Sequence, residues 1–342
     1  MQATAIAHPN IALSKYWGKL PGDGNRPAVP SLSLTLDGMS TRSQVRFDSS
    51  LAEDVLLLDG RRANAEQTVR VSELLDRLWR GQPRPRAAVS SHNDFPTASG
   101  LASSASAFAA LAVAANAAAE TNHPTEVLSD LARRSSASAA RSLFGGFVEL
   151  PAGGGDAAAL LAARPLLAPE PWDVRLLVAM TSAGPKAVGS TEGMRRSAES
   201  SPLYRAWVEG APAIHERVRA AVLARDLARL GQAAEHSALC MHAVAMASDP
   251  GLIYWNAATL EVLGAVRSMR QQGLEAYFTI DAGPHVKILT SAQQAPEIEQ
   301  RVRTIPGVIR TACASPGRGA RLLAEAEAQG EGSVRSEPEA RS

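Results

Sequence analysis

Pro96-Thr97-Ala98-Ser99-Gly100-Leu101-Ala102-Ser103-Ser104-Ala105 sets a glycine and paired hydroxyls where a loop turns into a helix. From Ser103 to Ala119 the residues are almost all small and apolar, which suits a helix buried on most sides, with Gly100 as its flexible entry. Free N–H groups and the positive end of the helix dipole then converge on the loop. An anion fits there, phosphate best, because the hydroxyls add to the backbone donors. The spacing is not that of a Walker loop, Gly-x-x-x-x-Gly-Lys-Ser/Thr. A capped, alanine-rich core helix accounts for this stretch equally well.

Working outward, Ala3 to Ala12, Ser31 to Leu36 and Arg42 to Phe47 alternate apolar and small polar residues and read as strands joined by a Gly/Pro loop. Val55 to Leu58 reads as a strand, Ala65 to Arg80 as a helix with Val69, Leu74, Leu75 and Leu78 on its inner face, and Ala87 to Ser91 as a strand. Downstream, Pro124-Thr125-Glu126 opens a helix whose apolar face is Leu128, Leu131 and Ala132, and Gly145-Gly146 turns into a strand. After a strand over Val174 to Met180, helices at Tyr204 to Arg225, Leu227 to His242 and Ala257 to Gln272 alternate with strands at Ala276 to Asp281, Val286 to Thr290 and Ile309 to Ala314. This is an α+β order. The expected domains are residues 1–182 and 183–325, with 326–342 a disordered tail rich in Glu, Gly, Ser and Arg.

The 342 residues carry 35 Lys+Arg against 34 Asp+Glu, a formal charge of +1, so there is no basic surplus for nucleic acid or an anionic membrane. The length favours two cores or one large one. Cys240 and Cys313 lack disulfide-framework or metal spacing and read as buried thiols in a reducing compartment. The first residues have no basic, long-apolar leader, and apolar runs fall short of the ~18–20 residues of a membrane span. A cytoplasmic protein is expected. Arginine outnumbers lysine 31 to 4, which makes each lysine worth inspecting.

Three further stretches carry chemistry. Lys15-Tyr16-Trp17-Gly18-Lys19 holds half of the lysines, compact charges suited to phosphate oxygens; a solvated turn is the alternative, although Ile11-Ala12-Leu13 argues against a simple exposed hairpin. Ser135-Ser136-Ala137-Ser138-Ala139-Ala140-Arg141-Ser142 lets a ligand or another segment approach closely while hydroxyls donate, and Arg141 can grip a carboxylate or phosphate with two donors, or simply sit at the surface. Ile280-Asp281-Ala282-Gly283-Pro284-His285 puts a carboxylate at a strand end, where a rigid element aims it into a cleft; a turn-forming aspartate is the common alternative. His242, in an apolar helix, reads as core or cleft wall; His285 is the better ligand contact, and Met246 reads as core.

In this order and spacing these stretches, with Pro9-Asn10-Ile11-Ala12, Ser31 to Thr35, Asn93 to Ala105, Arg141 to Gly146, Ser190 to Met194, Tyr254-Trp255-Asn256 and Asp281 to Pro284, resemble the diphosphomevalonate decarboxylase family. That family lies in the GHMP-kinase superfamily of small-molecule kinases, and the resemblance covers about residues 3–325. It implies a two-lobed α+β fold, a ribosomal-protein-like amino-terminal lobe and an α/β-sandwich carboxy-terminal lobe around a deep cleft. It implies ATP-dependent decarboxylation of mevalonate 5-diphosphate to isopentenyl diphosphate through phosphorylation of the 3-hydroxyl, in a homodimer with Mg²⁺ accompanying ATP.

The resemblance also implies roles. Asp281 matches the catalytic aspartate, Arg141 the arginine on the substrate carboxylate, and Lys15 a lysine beside the reacting centre. Tyr16, Trp17, Gly18, Lys19, Ser136, Ala137, Ser138, Ala139, Ala140 and Thr191 match substrate-binding positions, with Arg70 as a further diphosphate contact. Ser99, Gly100, Leu101, Ala102, Ser103 and Ser104 match the ATP-phosphate loop, Ser104 facing Mg²⁺, with no metal site built of protein alone. Ser135 and Ala137 stand where the family has glycines, His285 where it has asparagine, and Ala105-Ser106-Ala107 where it has Ala-Ala-Gly. These departures bear on the substrate's phosphorylation state. The alternatives are a phosphomevalonate decarboxylase, a 3-kinase that does not decarboxylate, and a non-catalytic binding module.

Overall fold

The computed structural model describes residues 2–22, 24–95, 103–156, 159–170, 172–184, 187–324 and 327. The amino-terminal half runs β1 (Gln2–Ala7), β2 (Asn10–Ser14), β3 (Ser31–Thr35), β4 (Thr41–Asp48), β5 (Val55–Leu58), β6 (Arg61–Arg62), α1 (Ala65–Leu78), β7 (Arg86–Asn93), α2 (Ser103–Ala118), α3 (Thr125–Ser135), α4 (Ala139–Ser142), β8 (Phe147–Leu150) and β9 (Arg164–Leu167). The remainder runs β10 (Val174–Met180), α5 (Ser190–Ser200), α6 (Tyr204–Ala224), α7 (Leu227–Met246), α8 (Ala257–Gln271), β11 (Tyr277–Ile280), β12 (Val286–Ser291), α9 (Ala295–Arg303), β13 (Arg310–Ala314) and β14 (Arg321–Leu322).

Three sheets form among the described residues. The first has the order β14-β1-β4-β7-β5-β6, so β14, near the carboxy-terminal end of the described residues, returns to the first strand. β4 alternates buried and more exposed residues along its length, as a strand packed on one face does. α2 lies against β1 and β4, and its alanines let it settle deep enough to bury Phe108, Leu111 and the small residues around them. The second sheet is β2-β3-β8-β9, and every residue of β2 and β3 is buried. Ile11, Leu13, Leu32 and Leu34 join a core with β10, α6 and α7, which welds the two halves along one side.

The third sheet, β11-β12-β10-β13, is antiparallel throughout. Its side chains divide by period two: Leu176, Val178, Tyr277 and Leu289 face the α6–α7 core, while Leu177, Ala179, Phe278 and Ile288 face α8 and α9. That is the expected helix-flanked sandwich. β10 precedes residue 183 yet pairs inside this sheet. α7 approaches β11 so closely that a Cβ on Gly231 would stand 2.0 Å from the Tyr277 ring.

Local readings needed correction at several points. The first strand divides at His8-Pro9, where proline lacks the N–H a ladder needs, and its two pieces enter different sheets. The inner face of α1 is Val71, Leu74, Leu75 and Leu78, an i, i+3, i+4, i+7 stripe, which leaves Val69 54% exposed. Met246, in the last turn of α7, is exposed, and Cys313 is exposed on the edge strand β13; Cys240 is half-buried. The short edge strands β9 and β14 carry too few residues to show a period. The expected tail falls outside the described residues apart from Glu327.

Gly231→Ala is expected to lower stability by about 1–3 kcal/mol, because α7 must move off β11. Equilibrium urea unfolding checks this; an unchanged midpoint contradicts the close approach.

Candidate active site

A cleft of about 560 Å³ opens between the halves, and Asp281 stands in it directly after β11. Lys15, directly after β2, donates from Nζ to Asp281 Oδ1 at 2.7 Å and to the Ala12 carbonyl at 2.8 Å. Its own backbone N–H donates to Ser237 Oγ on α7. Lys287, on β12, brings its Nζ within 3.3 Å of Asp281 Oδ2. Burial by itself would raise the Asp281 pKa, but the two lysines hold the carboxyl well below the usual carboxylate range. Burial pulls Lys15 down to about 8 against the opposing pull of Asp281.

Arg141, on α4, is 2% exposed. Its Nε donates to Ser33 Oγ at 2.9 Å and its Nη1 to Ser31 Oγ at 2.8 Å, so alternate residues of β3 present hydroxyls to one guanidinium. Asn10 braces the turn, donating from Nδ2 to Ser142 Oγ and to the Ser138 carbonyl. Burial pulls the Arg141 pKa to about 10, with Asp281 opposing. No carboxylate pairs with Arg141 among the described residues. A buried guanidinium so placed is a receptor for an anion.

The remaining wall is basic and hydroxylic. Lys19 donates to Thr191 Oγ1 at 3.2 Å, and Arg70 donates to the Ser135 carbonyl at 3.0 Å while lying over the Phe108 ring. Burial, then Arg70, lowers the Lys19 pKa. Tyr16 Oη is buried without a hydrogen-bond partner, and burial raises its pKa. Trp17 donates from Nε1 to Ser197 Oγ and packs edge-on against Tyr254. Five cations, Lys15, Lys19, Arg70, Arg141 and Lys287, face the single carboxylate of Asp281 among the cleft's described residues.

Lys15, Tyr16, Trp17, Lys19, Arg70, Ser103, Ser104, Ser136, Ala137, Ser138, Arg141, Thr191 and Asp281 therefore line one cleft. Gly18, Ala139 and Ala140 do not. Gly18 has φ +121° and sits where a Cβ would be struck by Tyr204 Oη, whereas the two alanines are fully buried in α4. Ser99, Gly100, Leu101 and Ala102 lie outside the described residues. The glycine replacements are accommodated: Ser135 is the last residue of α3, and neither it nor Ala137 is among the residues with positive φ.

His285 lines the cleft and accepts the Thr181 N–H on Nδ1 at 3.1 Å. His242 is buried beside the Trp255 ring at 4.9 Å and does not line the cleft; burial and then Lys15 push its pKa down to about 3, so it is a neutral core residue. Sequence reasoning missed Lys287, Asn10, Ser31 and Ser33 as site residues. For Lys287 a signal existed, a scarce lysine inside the apolar strand Val286-Lys287-Ile288-Leu289.

The architecture is that of the GHMP class of two-lobed small-molecule kinases. Residues 7–160 match the diphosphomevalonate decarboxylase-like N-terminal domain, and residues 176–324 the mevalonate 5-diphosphate decarboxylase C-terminal domain. The chain belongs to the diphosphomevalonate decarboxylase family. It is 34% identical over 329 residues to diphosphomevalonate decarboxylase of Ganoderma lucidum, covering 88% of this chain and 81% of that one. It is 30% identical over 330 residues to phosphomevalonate decarboxylase of Haloferax volcanii, covering 96% and 99%. Two solved structures, mevalonate diphosphate decarboxylase from Enterococcus faecalis and a complex with MVAPP, AMPPCP and magnesium, each show 36% identity and a TM-score of 0.86 over 94% of this chain and 99% of theirs.

Because Asp281 raises the Lys15 pKa, Asp281→Asn is expected to make Lys15 titrate below its value of about 8. Titration of ¹⁵N-lysine Nζ signals checks this, and a raised or unchanged midpoint contradicts the ion pair.

Proposed function

We propose that this chain catalyses the ATP-dependent decarboxylation of mevalonate 5-diphosphate to isopentenyl diphosphate, releasing ADP, phosphate and carbon dioxide. The observation that carries the proposal is Arg141, a buried guanidinium with no acid partner among the described residues, lining the same cleft as the lysine-held carboxylate of Asp281. The substrate bears both groups that such a pair selects, a carboxylate and, on the adjoining carbon framework, a tertiary hydroxyl. Its diphosphate and the phosphates of ATP answer the cleft's excess of cations.

The chemistry follows from a poor leaving group. Phosphorylation turns the tertiary hydroxyl into a phosphate ester; its departure leaves positive character at C3, which draws in the electron pair of the breaking carboxylate bond. No electron-sink cofactor is needed. Asp281 orients the hydroxyl and takes its proton late, which suits a carboxylate of low pKa because a loose phosphoryl-transfer transition state asks little of a base. Lys15 stabilises the charge on the transferring group, and Arg141 fixes the direction of the carboxylate relative to the departing phosphate. Lys19, Arg70, Tyr16, Ser136, Ser138 and Thr191 take the substrate diphosphate.

Ser103 and Ser104, at the start of α2, present hydroxyl oxygens of the kind that ATP phosphates and a hard cation accept, so they fit MgATP. Mg²⁺ bound with ATP supplies charge neutralisation at the phosphates. The proposal extends to a homodimer working in the cytoplasm, with one lobe on each side of the cleft. No helix among the described residues is long and apolar enough to cross a membrane.

Steady-state turnover is expected to release ADP and carbon dioxide in equal amounts and to prefer mevalonate 5-diphosphate to the 5-monophosphate. ADP without carbon dioxide contradicts decarboxylation, and preference for the monophosphate contradicts the substrate. Arg141→Gln is expected to lower kcat by ~10²-fold or more through lost orientation. For the wild type, kcat/KM is expected to fall as the pH rises through about 8, where Lys15 loses its proton; a profile flat to pH 9.5 contradicts a charged Lys15 role.

A further inference from the structure

We propose that Lys287 is a positioning residue for the same reaction: it grips the second oxygen of Asp281 so that the carboxylate meets the substrate hydroxyl in one orientation. The inference rests on the functional reading above and adds a residue to it. Lys15 reaches Oδ1 from the amino-terminal half, and Lys287 reaches Oδ2 from β12. A carboxylate held by one lysine turns about its Cβ–Cγ bond, whereas one held on both oxygens from opposite sides has its plane fixed.

The position of Lys287 argues that the contact is more than incidental. In the β11–β12 ladder it stands opposite Thr279, one rung beyond the Ile280–Val286 pair that precedes Asp281. Val286 and Ile288 face the α8–α9 core, so period two turns Lys287 to the other face, toward β2 and the cleft, where Thr279 donates to the Ala12 carbonyl. Its side chain is 2% exposed, and among the described residues its ammonium reaches, besides Asp281, the His285 carbonyl at 3.4 Å. Burying an ammonium is costly unless it is paired, and methionine fills a comparable volume without that cost. Among the described residues Asp281 is the one carboxylate that pairs with this charge.

The wild type, Lys287→Met and Lys287→Arg are compared with mevalonate 5-diphosphate and MgATP. Lys287→Met, folded by circular dichroism, is expected to lower kcat at least tenfold with KM within about twofold, a split that lost orientation of the carboxylate gives and general loosening of the fold does not. Lys287→Arg is expected to recover most of kcat. A folded Lys287→Met with wild-type kcat overturns the proposal, as does a KM increase with unchanged kcat. Should Lys287→Met not fold, ¹⁵N-lysine spectra decide: the Lys287 ammonium protons are expected to exchange slowly in the wild type and rapidly in Asp281→Asn, and equal rates overturn the proposal. A wild type that does not turn over the substrate contradicts the functional reading, whereas the exchange measurement still judges the pairing.

Discussion

The ion pair between Lys15 and Asp281 joins the two halves of the molecule inside the cleft. One partner follows β2 and the other follows β11, so neither can be aimed unless both sheets are in place. A buried ammonium facing a half-buried carboxylate carries a desolvation cost that close, well-directed contact offsets, and leaving the Lys15 charge unpaired is strongly destabilising. The shared core of Ile11, Leu13, Leu32 and Leu34 with β10, α6 and α7 supplies the rigidity that keeps the contact short. The active centre is thus a consequence of how the halves are welded.

The same logic explains the cleft's electrostatics. Asp281 is a strong acid here, which makes it a poor base but a firm acceptor for a hydroxyl, and it keeps Lys15 partly protonated against burial. Arg141 is handled differently: its hydrogen-bond partners among the described residues are neutral, the hydroxyls of Ser31 and Ser33 and, at 3.4 Å, Asn10 Oδ1. Neutral partners orient the guanidinium without cancelling its charge, so the charge remains for an anion, which in the proposed function is the substrate carboxylate. An acidic neighbour at either serine would have closed the site.

Much of this was legible in the sequence, for identifiable reasons. Strand-end placement of Asp281 follows from an apolar run ending in Asp-Ala-Gly-Pro, and the buried character of α2 from its lack of bulk. The service of Ser31 and Ser33 to Arg141 was not legible, because it depends on β3 lying beside β2 and β8 with α4 packed above, a matter of pairing that local periodicity does not encode. Lys287 was hidden by the same kind of dependence: its target lies across a hairpin and its face is set by register. Val69 was misplaced because phase within a helix is decided by which stripe is completed, and Val71 completes it. The replaced glycines at Ser135 and Ala137 needed dihedral angles to interpret, since only a positive φ would have made them costly.

The central claim is that the C3 oxygen leaves as a phosphate after Asp281 has directed it onto ATP. A single turnover with mevalonate 5-diphosphate labelled with ¹⁸O at the C3 hydroxyl measures this directly. The account predicts that the label appears in the released inorganic phosphate, alongside unlabelled carbon dioxide. Label released as water would contradict it.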